Sequence, residues 1–234
     1  MPKRNPGKRT GAVLRKLDEV IDRYAMLKHP FYKSWEEGKL TKEILAEYAK
    51  QYYAHVQAFP MYVSAVHSHC EDSTARRVLL ENLIEEERGD DNHPELWLRF
   101  AEALGVTRAS AQSAELLPST VKSVETIRKL TQSEDYREGV AALYAYESQV
   151  PEVSRSKLQG LKKFYGIDDP RSLAFFAVHA DLDIIHRQGE RYILAQHCST
   201  PTRQESALRA AEESAKALWH FLDGVYEAYV DGQQ

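Results

Sequence analysis

Cysteine is almost missing from this chain. Cys70 and Cys198 are the two present in 234 residues, too few for a disulfide scaffold and in keeping with a reducing compartment. Glycine and proline, 11 and 9, are few and scattered, which disfavours an all-β or collagen-like chain. No apolar run approaches the length needed to span a bilayer, and the amino terminus lacks the apolar stretch of a secretory signal. Neither sign of charge dominates: 31 basic and 35 acidic side chains leave a net charge of −4, so nothing marks nucleic acid as the main partner. The expectation is a soluble cytoplasmic protein with no nucleic-acid and no membrane partner.

What the chain does have is helical periodicity, almost without strand signals. Residues 11–28 form an amphipathic segment ended by Pro30. Thr41, with Glu43 behind it, opens a long helix to about Cys70, and Pro60 is expected to kink it. Further helices open at Ser73, Pro94, Pro118, Pro170 and Pro201, and residues 134–164 read as one helix bent at Pro151. The prediction is an all-α, single-domain bundle of seven or eight helices over residues 11–234. Six Lys or Arg fall in the first 16 residues, and residues 1–10 read as a basic, disordered arm.

Three segments carry polar residues where an inward face is expected. In HADLDIIH, His179, Asp183 and His186 lie within roughly 60° of one another on a helix, with Asp181 nearly opposite. Ile185, Phe175 and Leu182 flank that stripe. The two histidines are two turns, ~10 Å, apart, which is long for one ion and suits two ions that share the aspartate. In LYAYESQVP, Glu147 shares a face with Val140, Leu143 and Val150. A buried carboxylate must neutralise, pair with a cation or bind metal. In NLIEEERGDDNHPELW, periodicity places Glu87 near the centre of the apolar face and Glu86 at its edge, while His93 follows Glu86 by seven. The choice between the two glutamates stays open on these grounds. So does a hydrogen-bonded polar core without metal. Imidazole and carboxylate donors together suit iron or manganese better than a soft metal, and helical bundles that hold two such ions draw ligands from facing helices. The Glu-x-x-His pair usual in ferritin-like bundles is missing.

At these same residues the chain resembles the chlamydial CADD family. The likeness is carried by LKHPFYKSW with Tyr32, by YAKQYYAHVQAFPMYVSAVHSHC and EEERGDDNH, and by GVAALYAYESQVP and HADLDIIH, in order and with matching spacing. It runs from about residue 13 to 195. The resemblance implies a PqqC-like, haem-oxygenase-like fold and an oxygen-dependent dimetal oxidase. It further implies metal ligands at Glu86, His93, Glu147, His179, Asp183 and His186, two ions (two iron, or iron with manganese), and dioxygen with an external reductant as co-substrates. The implied product is para-aminobenzoate for folate synthesis, made from a tyrosine of the protein itself with a lysine as nitrogen donor. Those positions match Tyr32 and Lys157, and a homodimer is implied by the fold.

Read on their own, Tyr32 is one of 13 tyrosines and Lys157 an ordinary surface lysine. Tyr52, Tyr53, Tyr144 and Tyr146 are candidates to line the pocket or relay oxidation. Other readings keep the site but change the substrate, or keep the fold without metal as in PqqC or TenA, or make the chain a protein-interaction module. TenA-type chemistry needs a nucleophilic cysteine, and neither Cys70 nor Cys198 sits in a persuasive setting.

Overall fold

Proline and short polar side chains set the helix starts. Thr41, Asp72, Asn92, Asp169 and Thr200 each accept a hydrogen bond from a backbone N–H two or three residues into the helix they precede. The computed structural model describes residues 6–231. Among them the helices are α1 (Pro6–Arg23), α2 (Pro30–Glu36), α3 (Lys42–His69), α4 (Ser73–Glu87), α5 (His93–Ala103), α6 (Arg108–Gln112), α7 (Pro118–Thr131), α8 (Tyr136–Glu147), α9 (Val150–Gly160), α10 (Pro170–His197) and α11 (Pro201–Tyr229). A 3-10 turn at Met26–Lys28 and a π-turn at Leu161–Tyr165 complete the list, and no strand occurs among the described residues. The all-α class holds. The count does not: ten helices have seven residues or more, with α6 a further short one, where seven or eight were expected. The arm expected over residues 1–10 lies partly outside the described residues, and α1 begins at Pro6.

The extra elements have physical reasons. Pro30 ends nothing: it is the first residue of α2, where its missing N–H costs no bond and its φ is already helical. Residues 134–164 are not one bent helix. Pro151 has no N–H to give the carbonyl of Glu147, four residues back, so α8 stops at Glu147 and α9 starts at Val150. The Gln149 side chain bridges the break, donating to the Ala145 carbonyl and accepting from the Met26 N–H. Helix α3, in contrast, runs through Pro60 unbroken.

Helix α8 packs against α3, α7, α10 and α11, while α3 also meets α4, α5 and α7, and α10 meets α5 and α9. The core is aromatic. Trp35, Trp97, Tyr32, Tyr48, Phe31, Phe100, Phe176 and Phe221 are all fully enclosed. No described helix is long and apolar enough to cross a membrane.

Candidate metal centre

Six buried side chains converge in two groups of three. Glu86, His93 and His179 form one; Glu147, Asp183 and His186 form the other, with the ligand atoms of each group within 4.8 Å of one another. Each helix delivers its residues by a different route. Glu86 is at the end of α4 and Glu147 at the end of α8, while α10 carries His179, Asp183 and His186 on one stripe. His93 does not continue α4. The chain turns at Gly89, whose φ is +80°, Asn92 caps α5, and His93 is that helix's first residue. Its Nδ1 thereby comes to 2.8 Å from Oε1 of Glu86. Glu86 is buried and Glu87 exposed, so the periodicity that favoured Glu87 is corrected. The inward face of α4 is Ala75, Leu79, Asn82 and Glu86, and its two polar members pulled the apparent apolar centre away. Asp181 is exposed as expected. Ile185 is 64% exposed and does not flank the stripe, although Phe175 does.

The nitrogen lone pairs can be assigned from their neighbours. His179 donates from Nδ1 to the Phe175 carbonyl at 2.6 Å, leaving Nε2 free to bind. His186 holds Glu85 through Nε2 at 2.7 Å, leaving Nδ1 facing Glu147 at 3.2 Å and Asp183 at 3.4 Å. Such outer partners fix ring orientation and tautomer at metal sites. Nδ1 of His93, Nδ1 of His186 and Oε2 of Glu147 are buried with no hydrogen-bond partner. Short approaches without hydrogen-bond geometry are what donors aimed at a shared point produce, so these residues fit a pair of hard or borderline cations.

The charges support the same fit. Burial and the neighbouring Glu147 push the Asp183 carboxyl up to about 7. Burial works against a charged His186, but Asp183 and Glu147 prevail and raise its imidazole to about 11. Burial, with His93 close by, holds His179 well below the usual imidazole range. Asn82 donates to Oε1 of Glu147 at 2.9 Å.

Tyr32 and Lys157 are not beside the six residues but in an adjoining aromatic cage. Lys157 is 2% exposed and its Nζ lies 4.8–5.8 Å from the ring centres of Tyr32, Trp35, Tyr48, Tyr52, Trp97 and Phe176. Burial depresses its amine far below the ordinary lysine value. The amine donates to the Tyr48 hydroxyl at 2.6 Å, and that hydroxyl meets the Tyr32 hydroxyl at 3.1 Å. Tyr52 stacks on Tyr48 with ring centres 5.5 Å apart, and its hydroxyl accepts from that of Tyr146 at 2.7 Å. Tyr52 and Tyr146 then line a cavity of about 30 Å³ together with Glu86, His93, Glu147, His179 and Asp183. A line of phenols thus joins Tyr32 to the six-residue centre.

Of the four tyrosines singled out from sequence, Tyr52 and Tyr146 join this line. Tyr144 instead bonds Asp18 and Arg191, beside a cavity of about 570 Å³ that none of the six residues lines. Tyr53 is buried elsewhere in the core. Sequence reasoning missed Tyr48, Asn82, Glu85 and Glu190. Tyr48 is hidden among 13 tyrosines. Asn82 carried a signal, a polar residue four before Glu86 on one helical face.

Comparison with known proteins gives the family. Residues 46–219 match the model of the haem-oxygenase-like family described as iron-containing redox enzymes. The chain belongs to that family. It is 44% identical to a 4-aminobenzoate synthase of Nitrosomonas europaea, over 94% of this chain and 93% of that one. It is 40% identical to a 4-aminobenzoate synthase of Chlamydia trachomatis, covering 90% of each. Among solved structures, a CADD-like protein of unknown function from Nostoc punctiforme superposes with a TM-score of 0.79 at 15% identity, covering 95% of this chain and 99% of that one. The last likeness speaks to fold alone.

Proposed function

We propose that this protein is an oxygen-dependent dimetal oxidase that makes para-aminobenzoate from its own Tyr32, with Lys157 as nitrogen donor. Glu86, His93 and His179 would hold one ion, and Glu147, Asp183 and His186 the other. When bound, iron, or iron with manganese, supplies the reduction of dioxygen and the oxidising power of the reaction. The protein's residues do the rest. Tyr146 and Tyr52 face the centre, with the Tyr146 hydroxyl donating to that of Tyr52. Tyr48 accepts from the Lys157 amine, which frees its own proton for the Tyr32 oxygen. The aromatic cage encloses Lys157, and burial favours the neutral form of its amine.

The observation that carries this reading is size. The cavity at the centre is about 30 Å³, whereas an apolar cavity that admits benzene is about 150 Å³. A ring built into the protein needs no such room, and the nearest free amine is two hydrogen bonds from the Tyr32 phenol. The 40–44% identity to 4-aminobenzoate synthases supports the product. A TenA-type reaction has less support: both cysteines are buried and burial pushes both thiols up.

The test is stoichiometric. Metal-free protein is loaded with Fe(II), alone or with Mn(II), under anaerobic conditions, then given air and a reductant. Elemental analysis should find close to two ions per chain in the wild type and a clear loss in His179→Ala. Para-aminobenzoate should reach at most one per chain, with a matching mass loss in the peptide that contains Tyr32, and Tyr32→Phe should make none. Product in excess of one per chain, or product from Tyr32→Phe, would place the ring source elsewhere. No bound transition metal would sink the oxidase reading.

A further inference from the structure

Glu190 is a buried charge that the six residues leave unexplained. It stands on α10 one turn past His186 and two past Asp183, on the same stripe. It is 2% exposed, and neither of its carboxylate oxygens has a hydrogen-bond partner. Across the α8–α10 contact it adjoins the carboxylate of Glu147, whose Oε2 also lacks a partner. Three oxygens in two adjoining side chains are thus left to a shared proton or to a cation.

Among the described residues no lysine or arginine answers them. Arg191, the next residue, turns out to Asp18 and Tyr144. Arg187 is taken by the Ser148 carbonyl and Glu152. His186 is committed to Glu85, Glu147 and Asp183. A buried carboxyl beside another must take up a proton or a cation, and a cation between these helices would satisfy both.

We propose that Glu190 is a seventh protein ligand of the metal centre, serving the ion held by Glu147, Asp183 and His186. The assignment rests on the dimetal reading above. Charge balance favours it. Two divalent ions against Glu86, Glu147 and Asp183 leave one positive charge in a dry site, and a fourth carboxylate cancels it. Donor chemistry favours it too, since three protein ligands leave an iron or manganese ion with open positions that carboxylate oxygen suits. Glu190 stands outside the group of three ligands in the structure, next to Glu147.

The experiment compares wild type, Glu190→Gln and His179→Ala by anaerobic titration with Fe(II) and with Mn(II), the latter followed by electron paramagnetic resonance. The expected result for Glu190→Gln is one ion bound as in the wild type, the other weakened by about ten- to a hundredfold, and an altered Mn(II) spectrum. Its metal-free unfolding temperature should be no lower than that of the wild type, because Gln keeps the side chain's shape and a hydrogen-bond donor beside Glu147. Glu190→Asp, which keeps the charge, should recover part of the affinity. Two ions bound with wild-type affinity and an unchanged spectrum would overturn the proposal. A lower metal-free unfolding temperature would do the same, by showing that Glu190 supports the fold itself. Wild type that takes up no ion would instead defeat the dimetal reading, with His179→Ala indistinguishable from it.

Discussion

Lys157 shows how far a single side chain departs from its ordinary behaviour here. Six rings from α2, α3, α5 and α10 surround its amine, and burial lowers its proton affinity far below that of an unfolded lysine. Between its folded value and the unfolded 10.5, the unfolded chain holds a proton that the folded chain does not. Stability therefore rises with pH across that window, by up to about 1.4 kcal/mol per pH unit. Lys157→Met lacks this contribution. Urea unfolding between pH 6 and 9 should show the gap in stability between variant and wild type moving in the variant's favour as pH falls and closing as pH rises. The same variant should yield no para-aminobenzoate. None of this is legible in the stretch SRSKLQG, because the rings that enclose the lysine come from distant positions. The six metal-group positions were more legible. Three of them share one helix, so their common face follows from 3.6-residue periodicity. Glu86 and Glu87 could not be ranked that way, because Asn82 on the buried face and the exposed Leu80 rotate the apparent apolar stripe.

At the level of helices, boundaries marked by proline and capping side chains were readable: α3 at Thr41, α7 at Pro118, α10 at Pro170 and α11 at Pro201 all begin where their sequences indicate. Short helices were not. Seven residues in α2 give barely two turns of pattern, and Pro30 serves equally as a stop or a start. The close approach of α2 to α9 was invisible as well. A Cβ added at Gly160 would overlap the indole of Trp35, so the missing side chain is what lets α9 press Lys157 into the cage. Gly160→Ala should destabilise the protein by about 1–3 kcal/mol through overpacking, measured by denaturant unfolding. It should also reduce product per chain while leaving metal content unchanged, since none of the six metal-group residues lies on α2 or α9.

For the whole molecule, the proposed chemistry makes the protein a reagent, and the position of Tyr32 gives that a further meaning. Its ring is fully enclosed in the aromatic core, packed edge-on to Phe31 and against Trp35. A chain that has given up this ring is left with a void where a large side chain stood. Loss of an aromatic side chain from a core typically costs about 3–5 kcal/mol, a large share of the roughly 5–15 kcal/mol that holds a domain together. Chains that have reacted should melt several degrees below fresh ones in a calorimeter and be cut sooner by a protease that attacks unfolded polypeptide. A used molecule would thus be marked for removal by its own hollow interior, and the cell would need no separate signal to tell spent copies from new.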